Sequence, residues 1–178
     1  MSGHNKWSKI KHKKATADLK RSNVFGKILR LITAQSKTAN GDITSPNLRA
    51  AIEKARSFNI PKENIDRAVK KGMQNEGSAS FEITYEAYGP GGVAIIIEAL
   101  SDNRNKTAAE IKHLLGTYQL ALATPGAATW AFKKEGMVWI PETTIPIKEK
   151  EWATLEELIK ELDQHEDVQD VFTNAVTQ

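Results

Sequence analysis

The sequence of 178 residues contains no cysteine. That one absence excludes a disulfide framework, a thiolate zinc site and a cysteine nucleophile together. Long apolar runs are missing too, and none approaches the roughly 18 consecutive residues that a membrane span requires. No apolar h-region follows the basic N-terminus, so a secretory signal is not expected. The same stretch uses lysine where a mitochondrial transit peptide would use arginine. A cytoplasmic protein without membrane contact is the expectation. Aromatic residues make up only 7%, yet an apolar share of 40% allows a packed core rather than a disordered chain. The length suits one ordinary domain or two small ones.

The signatures of common enzymes are also missing. There is no GxxxxGK[ST], no GxGxxG between strand and helix, no HExxH and no GxSxG. The GPGG at 89–92 leads into an apolar β-branched run, not into a helix, so it reads as a tight turn and not as a phosphate loop. Of the four histidines, His4, His12, His113 and His165, the two in the arm are crowded by lysines with no carboxylate close enough in sequence to complete a site, so no metal or other cofactor is expected. Glu110 and the acid-rich 149–170 region read as solvated faces, because nothing positions a nucleophile beside them. The chain is expected to be non-enzymatic, with no small-molecule substrate.

Acid is absent from one end: no Asp or Glu precedes Asp18. Within that end GHNKWSKIKHKK, residues 3–14, holds five lysines, two histidines and a tryptophan. Lysine is among the residues least willing to be buried, so a core cannot explain this arm. Residues 1–72 carry 17 Lys+Arg against 5 Asp+Glu, and residues 73–178 carry 8 against 17. Such a division points to a basic nucleic-acid-binding part joined to an acidic part. The break falls at KKGMQNEGSAS, a polar linker, and sets expected domains at 1–75 and 80–178.

The first part reads as three helices. Asp18 and Ser22 are possible caps for a helix with Val24, Ile28, Leu31 and Ile32 on one stripe and Lys27, Arg30 and Lys37 opposite. Ser45-Pro46 opens a second helix that buries Leu48, Ala51, Ile52 and Ala55. Pro61 opens a third, with Ile65, Ala68 and Val69 inside and Gly72 as its closing glycine. After the linker the period changes. FEITYEAY alternates as a strand and VAIIIEAL reads as a buried one. A helix capped by Asp102 or Asn103 follows, then strands in GAATWAF and MVWIPETTIPI, the acidic helix WATLEELIKELDQ and a last strand in DVQDVFT. The expected class is α+β: a basic three-helix domain, then a ferredoxin-like βαββαβ domain preceded by one extra strand.

The candidate contacts are Lys6, Trp7, Lys9, Lys11, His12, Lys13, Lys14, Lys20, Arg21, Lys27 and Arg30. The cations would neutralise phosphates and Trp7 would stack on a base. Lys27, Arg30 and Gln35 are the side chains that a groove-reading helix could offer. Asn103, Arg104 and Lys106 in DNRNKT form a possible second contact, or simply a helix cap with exposed cations. DNA and structured RNA both remain open as the partner.

GHNKWSKIKHKK, NIPKENIDRAVKKG, YEAYGPGGVAIIIEAL and SDNRNKT, in this order and spacing, resemble the YebC family of bacterial proteins. Its mitochondrial relative is the translational activator of cytochrome c oxidase subunit I. The resemblance implies a helical first domain, an α/β second domain and a third domain inserted into the second. It implies either a DNA-binding transcriptional regulator or a ribosome-associated translation factor that relieves stalled ribosomes. The sequence departs from the pattern where FKKEGMVWIPETTIPI runs from one strand to the next. The inserted domain, expected near 134–138, is missing there. Asn5 and Lys13 replace the usual serine and arginine. QLALATPGAATWAF keeps Gly126 and Trp130 but loses a glycine-rich turn.

Overall fold

The computed structural model describes residues 18–74 and 80–178, with side chains in the first stretch from Asn23 onward. They fall into two compact units that divide at residues 80 and 81. The class is α+β, with helices first and a strand–helix–strand core after them.

The helical unit contains α1 (Asp18–Thr38), α2 (Pro46–Ser57) and α3 (Lys62–Met73). Ile28, Leu31, Ile32, Leu48, Ala51, Ile52, Ala55, Ile65 and Ala68 are buried together, the stripes that the 3.6-residue period marks. Helix α1 packs along α3 and against α2. Two of its polar side chains are turned to that purpose: Ser36 Oγ donates to Val69 O at 2.7 Å and Thr33 Oγ1 lies 3.3 Å from Ala68 O. Gly72 is not the closing cap expected from the sequence, since the helix continues through it to Met73. Its role is close approach. A Cβ there would come within 2.5 Å of Thr33 O and 2.6 Å of Ser36 Cβ. Ser45 stands at the start of α2 but its side chain makes no capping bond; the Asp42 carboxylate instead holds Thr44 N at 2.9 Å and organises the preceding turn. Helices α1 and α2 end on left-handed asparagines, Asn40 (φ 48°) and Asn59 (φ 57°). Gly41 N returns to Ser36 O at 2.9 Å and Ile60 N to Ala55 O at 3.0 Å, the 6→1 bonds of Schellman closures.

In the second unit β1 (Phe81–Tyr88), β2 (Ala94–Ser101) and β6 (Val168–Thr173) form an antiparallel sheet in the order β1-β2-β6. Strand β2 is covered on both faces, which is why it reads as an apolar run without alternation. Ile95 and Ile97 face α4 (Arg104–Thr117) and α5 (Glu149–Gln164), meeting Ile111, Leu115, Leu155, Leu158 and Ile159. Ala94 and Ile96 face the other way, onto Ala128, Ala131 and Phe132.

The strand–helix order from β2 onward is the expected one, with two short strands added, β5 (Ile145–Ile147) and β7 (Ala175–Thr177), which pair in parallel. The pairing is spread over three small sheets. Strands β3 (Phe132–Glu135) and β4 (Val138–Pro141) form their own hairpin, and β1 takes the place beside β2. Two physical reasons account for this. The GPGG link lets β1 and β2 pair over eight residues with little loop-closure cost. Lys133, Lys134 and Glu135 are exposed and unsuited to the middle of a covered sheet. GPGG is a tight turn, with Gly91 at φ 71° and Gly92 at φ 76°. It packs inward: a Cβ on Gly91 would lie 2.6 Å from Ile147 Cγ2, so the turn is not an open cradle.

Two buried polar side chains tie the loops to this frame. Asn174 accepts from Ala94 N at 2.8 Å and donates to Thr143 O at 2.9 Å, fixing the entry to β5. Glu86, 5% exposed, accepts from Gly126 N at 2.7 Å, Ala128 N at 2.7 Å and Thr129 N at 2.9 Å. Burial alone would raise its pKa, but these backbone donors stabilise the charged form and hold it below the usual carboxylate value.

Candidate nucleic-acid interface

Lys6, Trp7, Lys9, Lys11, His12, Lys13 and Lys14 lie outside the described residues. The described part of the candidate interface begins in the first turn of α1, where Lys20 and Arg21 stand. Lys27 and Arg30 are half-buried further along that helix. Gln35 is only 4% exposed. The reason is the packing: α1 carries α2 and α3 on its flanks. A helix that reads a groove must keep one face clear, and Gln35 is not on such a face.

Several exposed cations on the other two helices are not singled out by the sequence. Arg49 and Arg56 are exposed seven residues apart on α2, with exposed Glu53 between them; Arg67, Lys70 and Lys71 are exposed on α3. Seven residues are nearly two helical turns, so Arg49 and Arg56 share one face, which flanks the buried stripe of Leu48, Ala51, Ile52 and Ala55. The signal is present in the sequence as the complement of the apolar stripes. Arg56, Lys70 and Lys71 also stand in last turns, where a cation favours the negative end of the helix dipole.

In DNRNKT the structure selects Asn103 over Asp102 as the cap of α4, its side chain accepting from Lys106 N at 3.1 Å. The Arg104 guanidinium lies 4.6 Å from the centroid of the Phe81 ring. Lys106 Nζ stands 3.9 Å from the Glu110 carboxylate. All three residues remain exposed.

Beneath them runs a network that sequence reasoning missed. Thr107 Oγ1 lies 2.6 Å from Ser101 Oγ and 2.5 Å from Asp167 Oδ2. Asp167 N donates to His165 Nδ1 at 3.1 Å, and His165 Nε2 faces Glu110 Oε2 at 3.0 Å. Burial first, and then the Asp167 charge, raises the pKa of the nearby Tyr85 hydroxyl. Ligand atoms of Glu110, His165 and Asp167 come within 4.8 Å of one another. A nitrogen that accepts a backbone N–H carries no proton, so the neutral ring holds its proton on Nε2, the atom that a metal would need. The trio therefore reads as a clamp between α4 and the start of β6. His113 is exposed on α4. Among the described residues no helix is long and apolar enough to cross a membrane.

Comparison with known proteins adds to this geometry. The family model described as the TACO1/YebC protein N-terminal domain matches residues 5–75. The model described as the TACO1/YebC second and third domain matches in two stretches, 80–140 and 136–175. They overlap at residues 136–140, the turn after β3 and most of β4. A "Probable transcriptional regulatory protein" of Petrotoga mobilis is 43% identical over 176 residues, covering 97% of this chain and 70% of its own length. Proteins of the same name from Thermotoga petrophila and Thermotoga maritima are 48% identical over 147 residues and 49% over 142, covering 82% and 79% of this chain. The chain spans only 58% and 56% of those two relatives' length. The crystal structure of a conserved hypothetical protein from Aquifex aeolicus superposes with a TM-score of 0.79 at 26% identity, covering 92% of this chain and 93% of that one.

Proposed function

Because the chain belongs to the TACO1/YebC family, we propose that it is a non-enzymatic, cytoplasmic regulatory protein that binds nucleic acid through its basic first part. The observation that carries this reading is the charge division, 17 Lys+Arg against 5 Asp+Glu up to residue 72 and 8 against 17 beyond it. The arm and the exposed Arg49, Arg56, Arg67, Lys70 and Lys71 would contact phosphates. Residues 1–75 would form the binding domain. Residues 80–178 would orient it or recruit a further partner, with Asn103, Arg104 and Lys106 as a second contact. We read the chain as a short form without the inserted third domain, because the two matched stretches of the second family model overlap at a tight hairpin.

The names of the relatives support a transcriptional regulator, which we read as acting through DNA. A second reading, a ribosome-associated translation factor that binds RNA, is favoured by the burial of Gln35. With it goes one of the few side chains on α1 suited to base reading, and phosphate contacts position a protein without specifying sequence. Competition among a defined promoter duplex, random duplex and ribosomal RNA separates the two. A preference for promoter over random duplex well below the roughly 10³-fold typical of specific binders, with RNA competing strongly, supports the RNA reading. A larger, salt-resistant promoter preference establishes the DNA regulator.

A further inference from the structure

The acid-rich region at 149–170 is not used by the reading above, and part of it borders a groove. The groove, of about 480 Å³, is lined by Ala109, Glu110, His113, Leu114 and Thr117, a stripe along one side of α4, and by Glu161 of α5. Its floor offers little to a polar ligand. Thr117 Oγ1 is turned back onto Leu114 O at 2.7 Å, and Leu114 lies against the buried core of this unit. The rim is acidic. Helix α5 holds six carboxylates against two lysines. Glu157 and Glu161 stand exposed four residues apart, a like-charge spacing that mildly destabilises a helix when no cation answers it. Among the described residues no cation pairs with either of them. Glu161 accepts instead from the Tyr118 hydroxyl, whose pKa burial first and then this bond push up to about 12.

The chemistry of the groove selects its occupant. Rim carboxylates repel phosphate, so nucleic acid does not fit, and an apolar floor wants apolar side chains. This chain itself holds a segment that combines lysines with large apolar residues. Residues 1–17, outside the described part, carry Lys6, Lys9, Lys11, Lys13 and Lys14 around Trp7 and Ile10, with no acid. Eleven residues separate Trp7 from Asp18 at the start of α1, enough to span about 35–40 Å. A domain of about 100 residues has a radius of gyration of only about 13 Å. We propose that the α4–α5 groove is the docking site of the chain's own basic arm, with Trp7 and Ile10 over Leu114 and the lysines against Glu157 and Glu161. The docked arm is an autoinhibitory contact, because its lysines are withheld from phosphate until a nucleic acid outcompetes the carboxylates. The regulatory half rests on the nucleic-acid reading above; the docking itself does not. A second copy carries the same arm, but tethering gives the chain's own arm an effective concentration on the order of millimolar.

The test uses the full chain. A carbodiimide joins a lysine amine to a carboxylate in contact with it. At low salt and without nucleic acid, the protein should give intramolecular cross-links from the arm lysines to Glu157 or Glu161, mapped by peptide mass spectrometry. Trp7→Ala with Ile10→Ala should lower their yield although every lysine is kept. An unchanged yield, or cross-links spread evenly over the acids of residues 80–178, overturns the groove. Cross-links found only in covalent dimers overturn the chain's own arm as occupant and name a second copy. Fluorescence anisotropy with a random-sequence RNA reads the regulatory half. Glu157→Gln with Glu161→Gln should tighten binding about 2- to 30-fold, the worth of two exposed ion pairs. Glu142→Gln with Glu149→Gln makes the same charge change at exposed positions away from the groove and should tighten binding less. Equal gains in the two pairs overturn the autoinhibition. So does a gain at Glu157 and Glu161 that persists when Lys9, Lys11, Lys13 and Lys14 are alanine. Cross-links at the groove with no binding of RNA or duplex DNA, by the unaltered protein or by Glu157→Gln with Glu161→Gln, overturn the nucleic-acid reading and leave the docking standing.

Discussion

The carboxylate of Glu86 on β1 accepts the backbone N–H of Gly126 at 2.7 Å, forty residues further along the chain. This bond and its two companions at Ala128 and Thr129 hold the whole approach to β3. Glu86→Gln replaces one carboxylate oxygen by an amide that is itself a donor, so one backbone N–H loses its acceptor. The expected cost is about 2–4 kcal/mol, read from urea unfolding. The pH dependence has a definite sign. The folded-state pKa of Glu86 is lowered, so its contribution is fully present above the ordinary glutamate range and is lost as pH falls through the lower folded value. Glu86→Gln should therefore flatten the acid limb of the stability curve. An unaltered limb would show that the carboxylate contributes nothing through its charge.

Two glycines in the helical unit should respond in opposite directions to the same change. A Cβ on Gly72 would meet Thr33 O at 2.5 Å, whereas nothing lies within 4 Å of the position that a Cβ on Gly26 would take. Gly72→Ala must push α1 and α3 apart and is expected to cost about 1–3 kcal/mol. Gly26→Ala adds helix propensity in open space and should stabilise by about 0.5–1 kcal/mol. Thermal unfolding midpoints of the two variants check both signs at once.

Helix α4 closes on Gln119 at φ 59°, with Leu120 N returning to Leu115 O at 3.0 Å. Glutamine has none of the tolerance of the left-handed region that asparagine shows at the two earlier closures. Gln119→Gly should raise stability by about 0.5–1 kcal/mol, after allowance for the freer unfolded chain. Asn59→Gly should gain less. A larger gain at Asn59 in denaturant unfolding would contradict this ordering.

The helices and the central strand are legible in the sequence because each carries its burial as a period. Ile28, Leu31 and Ile32, or Leu48, Ala51 and Ile52, need no partner sequence to be recognised. What cannot be read is set by distant segments that meet only in the fold. Gly72 near a helix end competes between capping and close packing, and only the position of Thr33 decides. Glu110 and His165 stand 55 residues apart and meet because α4 and β6 start side by side. Strand β1 wins its place beside β2 through a short turn, a choice that periodicity alone does not encode. Trp130 reads as part of a strand. Its exposure follows from the Glu86 clamp, whose two ends are likewise far apart in sequence.

The last prediction concerns which cations carry the binding. Two sets compete: the arm lysines Lys9, Lys11, Lys13 and Lys14, and the exposed Arg49 and Arg56 on α2. Every duplex-DNA phosphate that a variant ceases to neutralise should reduce the slope of log K against log salt by about 0.9. The arm variant, all four lysines changed to alanine, should flatten the slope by several such steps and weaken binding to every sequence by a similar factor. Arg49→Ala with Arg56→Ala should remove at most two steps, since Glu53 stands exposed between them and lowers the local potential. If instead the arm variant keeps its full slope while the arginine variant does not, the phosphates are held by the outer face of α2. The five-lysine arm would then be a solvated tail.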